Sequence, residues 1–381
     1  MQSKQDRQGP RKKLTKAQRR RKRRIRRILF RTGLCLLTAL ALALLGLLWA
    51  GYAGFKGPSQ TMGDLLTVSM LETSALKFVP RIYYSKAEVE EIVARNAVRA
   101  LDEETDVSMI TIPAPTPEPS EEQPDVAFEL DAVQATPEPT PTPKPENLLM
   151  SEDGIDIFEV RGGTYMGYMM VVYDPARVTC GTCRDTFTRA KGLQLKDIAA
   201  RYNAVAAING GGFEDDGGAG NGGQPLGLVI SGGEVKHTGG TSSDFYATVG
   251  FDSNNIMHIG KLSAEKAKKY GIRDAMTFGP TLIVNGEAAS VKGLSSGLNP
   301  RTAIGQRSDG AVLMLVIDGR QASSLGATYA DLITVMMEYG AVNAINLDGG
   351  SSSLMYYKGA YLNKGVTLTG SRNMPTAFIV R

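Results

Sequence analysis

The chain has 381 residues, 42% of them hydrophobic, and 43 Lys and Arg stand against 39 Asp and Glu for a formal net charge of +4. This composition excludes a wholly disordered chain and leaves material for at least one large core. Three cysteines and two histidines exclude a four-cysteine zinc framework, and their spacings do not suit a finger of two cysteines and two histidines.

The charge is unevenly placed. Residues 1–31 hold fifteen Lys or Arg and one acid, Asp6, so a +14 arm leaves −10 on the remainder. Residues 1–32 are therefore expected to be a basic cytoplasmic tail. Residues 33–55 follow without a charge. At about 1.5 Å rise per residue, a helix of that length crosses a hydrocarbon core of about 30 Å. Trp49 and Tyr52 lie near its far end, where amphipathic rings favour the interface. The basic flank from Arg19 to Arg24 puts the N-terminus in the cytoplasm and the rest of the chain outside. Two competing readings are a nucleic-acid-binding arm and a cleaved signal peptide. The adjoining apolar span argues against the first and its length against the second. A single-pass anchor in the cell membrane, with no nucleic-acid partner, is the expectation, and Cys35 inside the span should be inert.

Residues 56–105 read as a juxtamembrane helical segment, a spacer or interaction helix. Ser85 to Glu88 resembles a capping box, with Val89, Ile92, Val93 and Ala97 on one side of the helix it opens. Residues 106–147 read as a linker, since ten of the chain's 18 prolines fall between Pro113 and Pro145. Such runs favour polyproline II geometry and act as semi-rigid spacers.

Residues 148–381 read as one globular head of the α+β class. Short apolar strands such as Met169–Tyr173, Ala204–Ile208, Ala311–Ile317, Ala344–Leu347 and Thr376–Val380 alternate with glycine turns. Helical spacing is clearest over Thr328–Tyr339, where Leu332, Val335, Met336 and Tyr339 recur, Thr328 with Asp331 can cap the start and Gly340 ends it. A sheet with both parallel and antiparallel pairings is expected.

Three strands end alike, in a polar residue followed by glycine: Ile208 runs into Asn209-Gly210-Gly211-Gly212, Ile317 into Asp318-Gly319-Arg320, and Leu347 into Asp348-Gly349-Gly350-Ser351. Glycine lets the chain turn sharply and lets a ligand approach the backbone. The last two strands flank the helix, and strand, helix, strand makes a βαβ unit with parallel strands. Asp318 and Asp348 should then share one rim, where open sheets bind ligands. Each Asp could instead merely cap its own turn. Arg301, in Asn299-Pro300-Arg301-Thr302, and Arg372 each offer a planar fork for carboxylate or phosphate, and spacing alone leaves a surface salt bridge open for both.

The blocks Asn209–Phe213, Phe278–Gly286, Arg301–Gly305, Asp318–Arg320 and Asn343–Ser352, in that order, resemble the phosphodiester glycosidase family. The resemblance covers roughly residues 195–381 and leaves out the arm and the proline run, which resemble those of a bacterial surface protein. Asp348 is followed by two glycines and three serines, where many members carry a third glycine.

The resemblance implies hydrolysis of the sugar–phosphate bond of a sugar-1-phosphodiester, with no cofactor. The transition state would have oxocarbenium character. Its leaving group, a phosphate monoester with a second pKa of about 6, needs little acid assistance. On that reading Asp348 is nucleophile or base and Asp318 its electrostatic or acid partner. Arg301, helped by Arg372, holds the phosphate. Asn209, Thr302, Ser351 and the backbone at Gly210, Gly211, Gly349 and Gly350 position sugar or phosphate oxygens. The substrate would be a phosphodiester of a cell-envelope glycopolymer, and residues 148–381 alone should be active. The alternatives are a non-catalytic cell-wall or exopolysaccharide-binding module and a scaffold recruiting envelope machinery.

Other signals are weaker. Cys180 and Cys183 suggest a local disulfide. Glu214-Asp215-Asp216 lacks the spacing of a calcium loop and reads as a loop beside the site, and His237 and His258 lack metal-ligand spacing.

Overall fold

The computed structural model describes residues 15–73, 76–99, 101, 103–113, 146–215, 220–239, 246–294, 296–365 and 371–381, apart from the Arg19 side chain. Most of the expected proline linker, residues 114–145, lies outside the described residues. The chain forms two compact units, Met1–Gly63 and Asp64–Arg381.

In the first unit helix α1 spans Lys16–Lys56, opened by a capping box between Thr15 and Gln18. Leu36, Leu40, Leu47 and Trp49 are exposed along it. It is long and apolar enough to cross a membrane, a test that an anchor and a signal sequence both pass.

Helix α2 covers Gln60–Leu71, α3 Pro80–Tyr83 and α4 Lys86–Arg95. Ser85 and Glu88 form the expected box at the start of α4, which buries Val89 and Ile92 and leaves Val93 and Ala97 exposed. Arg95 grips Asp64 with two hydrogen bonds of 2.7 and 2.6 Å. Val98–Arg99 then pairs antiparallel with Ser290–Val291. The amide of Ile259 donates to Thr105 Oγ1 at 2.9 Å, and the amide of Thr111 to the Ser308 carbonyl at 2.8 Å. From Asp64 onward the segment expected to be a spacer is thus a belt packed within the head's own unit.

The head mixes helix and sheet as expected. Its largest sheet has eight strands. At its centre, Arg301–Arg307 lies between Ala341–Leu347 and Val312–Ile317 and is antiparallel to both. Met166–Val172 and Ile155–Arg161 continue the sheet beyond Val312–Ile317. Every hydrogen-bonded strand pair among the described residues is antiparallel, which corrects the expectation of parallel pairing. The two strands of the expected βαβ unit do run in the same direction, with one strand inserted between them. Their C-terminal ends, carrying Asp318 and Asp348, therefore reach one edge.

Two five-stranded sheets pack against one face of the large one. One holds Ala206–Asn209, Thr376–Val380 and Val178–Thr182, the other Ala247–Asp252 and Ile272–Phe278. Met170, Met314 and Ile345 meet Ile208, Phe378, Val249 and Phe251 in the shared core. The Phe251 and Phe378 rings contact edge to face, 6.1 Å between centroids. Helix α5 (Leu195–Arg201) covers the far side of the first small sheet, with Ile198 beside Ala207 and Ile379. Helix α6 (Ala264–Lys269) borders the second. Helix α7 (Tyr329–Glu338) seals the far face of the large sheet through Leu332, Val335 and Met336. A Cβ at Gly305 would sit 2.5 Å from Met336 Cε and 2.6 Å from the Asn343 carbonyl oxygen, so glycine permits this close approach.

The expected Cys180–Cys183 disulfide is absent, and both thiols are free and buried. Residues three apart on an extended strand point to opposite faces. Cys180 faces the central core and Cys183 the α5 side.

Candidate active site

Asp348 is held by the Asn209–Gly212 turn. Its amide donates to the Gly210 carbonyl at 3.2 Å, and its carbonyl accepts from Asn209 Nδ2 at 2.6 Å. Asn209 Oδ1 accepts from Thr302 Oγ1 at 2.7 Å and from the Leu354 amide at 3.1 Å. Asn209 is buried with both ends of its amide committed, so it and Thr302 fasten two strand ends together.

The glycines serve close packing. A Cβ at Gly210 or Gly211 would fall 2.6–2.7 Å from Thr376 or the Thr277 carbonyl. Their amides donate to the Thr376 carbonyl and to Thr376 Oγ1, both at 3.1 Å. The Gly349 amide donates to Asp348 Oδ1 at 3.0 Å and that of Gly350 to the Pro300 carbonyl at 2.9 Å. These four amides, expected to face substrate oxygens, hold protein acceptors instead. Ser351 lies half-buried in the 3-10 turn Gly350–Ser352.

Burial pushes the Asp348 carboxyl up to about 6, with a further push from the Asp215 charge, against the nearby Ser352 hydroxyl, the Arg372 charge and the Gly349 amide. Arg372 pairs with Asp215 at 2.6 Å and stacks its guanidinium 4.7 Å over the Phe213 ring. Burial raises Asp215 too, but Arg372 and the Gly220 amide hold it below the usual carboxylate range. Tyr246, raised by burial, also feels the Asp348 charge. It lines a cleft of about 720 Å³ with Thr248, Thr277, Gly227 and Lys261. The site therefore gathers two acids and one guanidinium. Asp215 was legible only as part of an acidic run beside the site.

Asp318 is 4% exposed at the end of its strand. Burial raises its carboxyl, opposed by Asn363 and Lys364. Asn363 Nδ2 donates to Asp318 Oδ1 and to the Ser353 carbonyl, both at 2.9 Å. That amide ties Asp318 to the segment following Asp348.

Arg301 differs from the expectation. Consecutive strand residues face opposite sides, and Thr302 faces the core with Asn209 while Arg301 faces α7. It is 3% exposed, with its guanidinium 4.3 Å over the Tyr329 ring. Nε donates to the Ala327 carbonyl, and Nη2 to Ser296 and the Gly297 carbonyl, at 2.7–3.2 Å. Nη1 pairs with Glu72 at 2.9 Å. A guanidinium so engaged is a structural hub. No sequence signal pointed to Glu72, which lies in the belt outside every block of the resemblance.

Residues 202–381 match the family model described as phosphodiester glycosidase. A Bacillus subtilis (strain 168) protein, described as the SPbeta prophage-derived uncharacterized protein YomE, is 32% identical over 176 residues. The match takes in 44% of this chain and 26% of the relative, so the chain spans about a quarter of that protein's length. Among solved structures, the catalytic domain of zebrafish N-acetylglucosamine-1-phosphodiester alpha-N-acetylglucosaminidase, auto-inhibited by its pro-peptide, is similar at TM-score 0.50 and 22% identity, over 60% of this chain and 82% of that one. That likeness is one of fold.

Proposed function

We propose, from the match of residues 202–381 to the phosphodiester glycosidase family model, that this chain hydrolyses the sugar–phosphate bond of a sugar-1-phosphodiester. The substrate would be of the N-acetylglucosamine-1-phosphodiester kind, within a cell-envelope glycopolymer. The observation that carries this reading is the gathering of Asp348, Arg372 and Asp215 at a strand end, where burial lifts the Asp348 carboxyl and the Arg372 charge opposes it.

Asp348 is the nucleophile or base. Its titration near 6 leaves it ionised at neutral pH yet able to exchange a proton during turnover. Arg372 sits where a cation can take the charge of the departing phosphate, its fork shared with Asp215 in the resting state. Asp318, raised by burial and steadied by Asn363, is the second acid. Arg301 supports the rim and leaves phosphate binding to Arg372. The basic arm and apolar helix fit an anchor that holds the head outside the cytoplasm.

The test is to incubate the full chain in detergent with the methyl phosphodiester of N-acetylglucosamine-α-1-phosphate and assay free N-acetylglucosamine. Release that disappears in Asp348→Asn supports the reading. Tight binding without release would favour the non-catalytic carbohydrate-binding alternative.

A further inference from the structure

Glu72 directly follows the last residue of α2, and its carboxylate reaches two residues of the head. Oε2 lies 2.9 Å from Arg301 Nη1 and accepts from Asn299 Nδ2 at 3.0 Å. One turn earlier, Ser69 Oγ accepts from the Leu298 amide at 3.0 Å. Residues 298–301 are thus gripped from the belt side at three points.

The same stretch supports the reactive turn from its other side. The Pro300 carbonyl accepts the Gly350 amide at 2.9 Å. A Cβ at Gly349 would lie 3.0 Å from that carbonyl oxygen, and one at Gly350 would lie 3.6 Å from the Arg320 guanidinium. Arg320 Nη2 donates to Asn299 Oδ1 at 2.9 Å. Asp348 opens this turn, and its own carboxylate closes back on the Gly349 amide.

We propose that Glu72 is a positioning residue for the reaction: through Arg301, Asn299 and Pro300 it fixes the turn that carries Asp348. A carboxylate seated on an arginine also suggests a stand-in for a bound anion. The hydrogen-bond inventory argues against that, because Nε and Nη2 of Arg301 already hold protein acceptors and only Nη1 is left to Glu72, which offers an anion no two-pronged fork. Arg301 is buried while the Glu72 side chain is 31% exposed, so removing the acid leaves a buried guanidinium short of one partner. Glu72 lies outside residues 202–381, the stretch that matches the family model.

The catalytic half of the inference rests on Asp348 being the reacting carboxylate; the geometric half does not. Both are read on the full chain with Glu72→Ala and Glu72→Gln. In hydrogen exchange followed by mass spectrometry, the peptide over 348–353 should exchange on the order of tenfold faster in Glu72→Ala while the strand 312–317 is unchanged. Turnover of the same methyl phosphodiester should show kcat falling on the order of tenfold with KM within about twofold, since sub-ångström misplacement penalises the transition state. Glu72→Gln, which keeps an acceptor for Asn299 and Arg301, should restore most of both. If Glu72→Ala does not fold, an intermediate response of Glu72→Gln in both readouts carries the test. Unchanged exchange over 348–353 in the folded variants would overturn the proposal, and so would turnover at or above the wild-type rate, which would make Glu72 an occluding group. A wild-type chain without turnover whose exchange still responds to Glu72 would sink the glycosidase reading and leave the brace standing.

Discussion

At Asp348 function and stability pull in opposite directions. A carboxyl whose folded pKa is about 6 prefers to be protonated, while the unfolded chain ionises it near the ordinary value of about 3.9. Its contribution to stability is therefore complete below about pH 4 and lost as pH rises through 6. Asp348→Asn removes that loss. The variant should be more stable than wild type above pH 6 by about 1–3 kcal/mol and so unfold at a higher temperature, with the gap closing towards pH 4. Its kcat should fall on the order of a hundredfold or more. Thermal scans at pH 4 and pH 8 beside a turnover assay separate the two effects. Arg372 acts on the same group with the opposite sign, since its charge favours the ionised carboxyl. In Arg372→Gln the acidic limb of kcat/KM, set near pH 6 by Asp348, should move to higher pH as the plateau falls. A limb that stays in place would mean another group controls the rate. Asp348 was picked out by the block Asn343–Ser352, whereas Arg372 lies in none of the blocks and entered only as a guanidinium able to grip a phosphate. Arg301 was legible as a residue but not in its role, because its partner comes from a distant part of the chain and only the alternation of strand faces parts it from Thr302.

The secondary elements were largely readable from periodicity. The Thr328 box, the apolar stripe of α7 and the buried strands before Asp318 and Asp348 follow from local spacing alone. Pairing was not readable in the same way. The strand Arg301–Arg307 precedes both partners in sequence yet inserts between them, a non-local choice with no local signature. The direction of the two flanking strands survived because a helical crossover fixes it whatever lies between. The junction of α7 with the sheet carries its own prediction. Gly305→Ala forces a methyl group against Met336 and the Asn343 carbonyl, and should destabilise the head by about 1–3 kcal/mol in chemical denaturation without altering KM. Loss below about 0.5 kcal/mol would show that the helix can shift away at little cost.

For the whole molecule, the belt changes where the domain begins. The sequence suggested a head from residue 148, because low-complexity proline separates it from what precedes. Composition marks where a chain cannot pack, but it does not show whether the segments on either side of the gap return to each other. Here Ile92 and Ile110 are buried within the Asp64–Arg381 unit, and Val98–Arg99 pairs with Ser290–Val291. A fragment starting at Asp64 should melt in one transition at the temperature of the full chain's head. A fragment of 148–381 should melt several degrees lower, since each kcal/mol lost shifts a domain of this size by about 2–4 °C. Equal melting of the two fragments would make the belt ornamental.

The two thiols that point away from each other bear on how the polypeptide matures. With no cross-link to close, assembly requires no oxidant, no isomerase and no particular glutathione balance. Material made in the reducing cytosol of an expression host should be the native molecule, indifferent to dithiothreitol, without a refolding step.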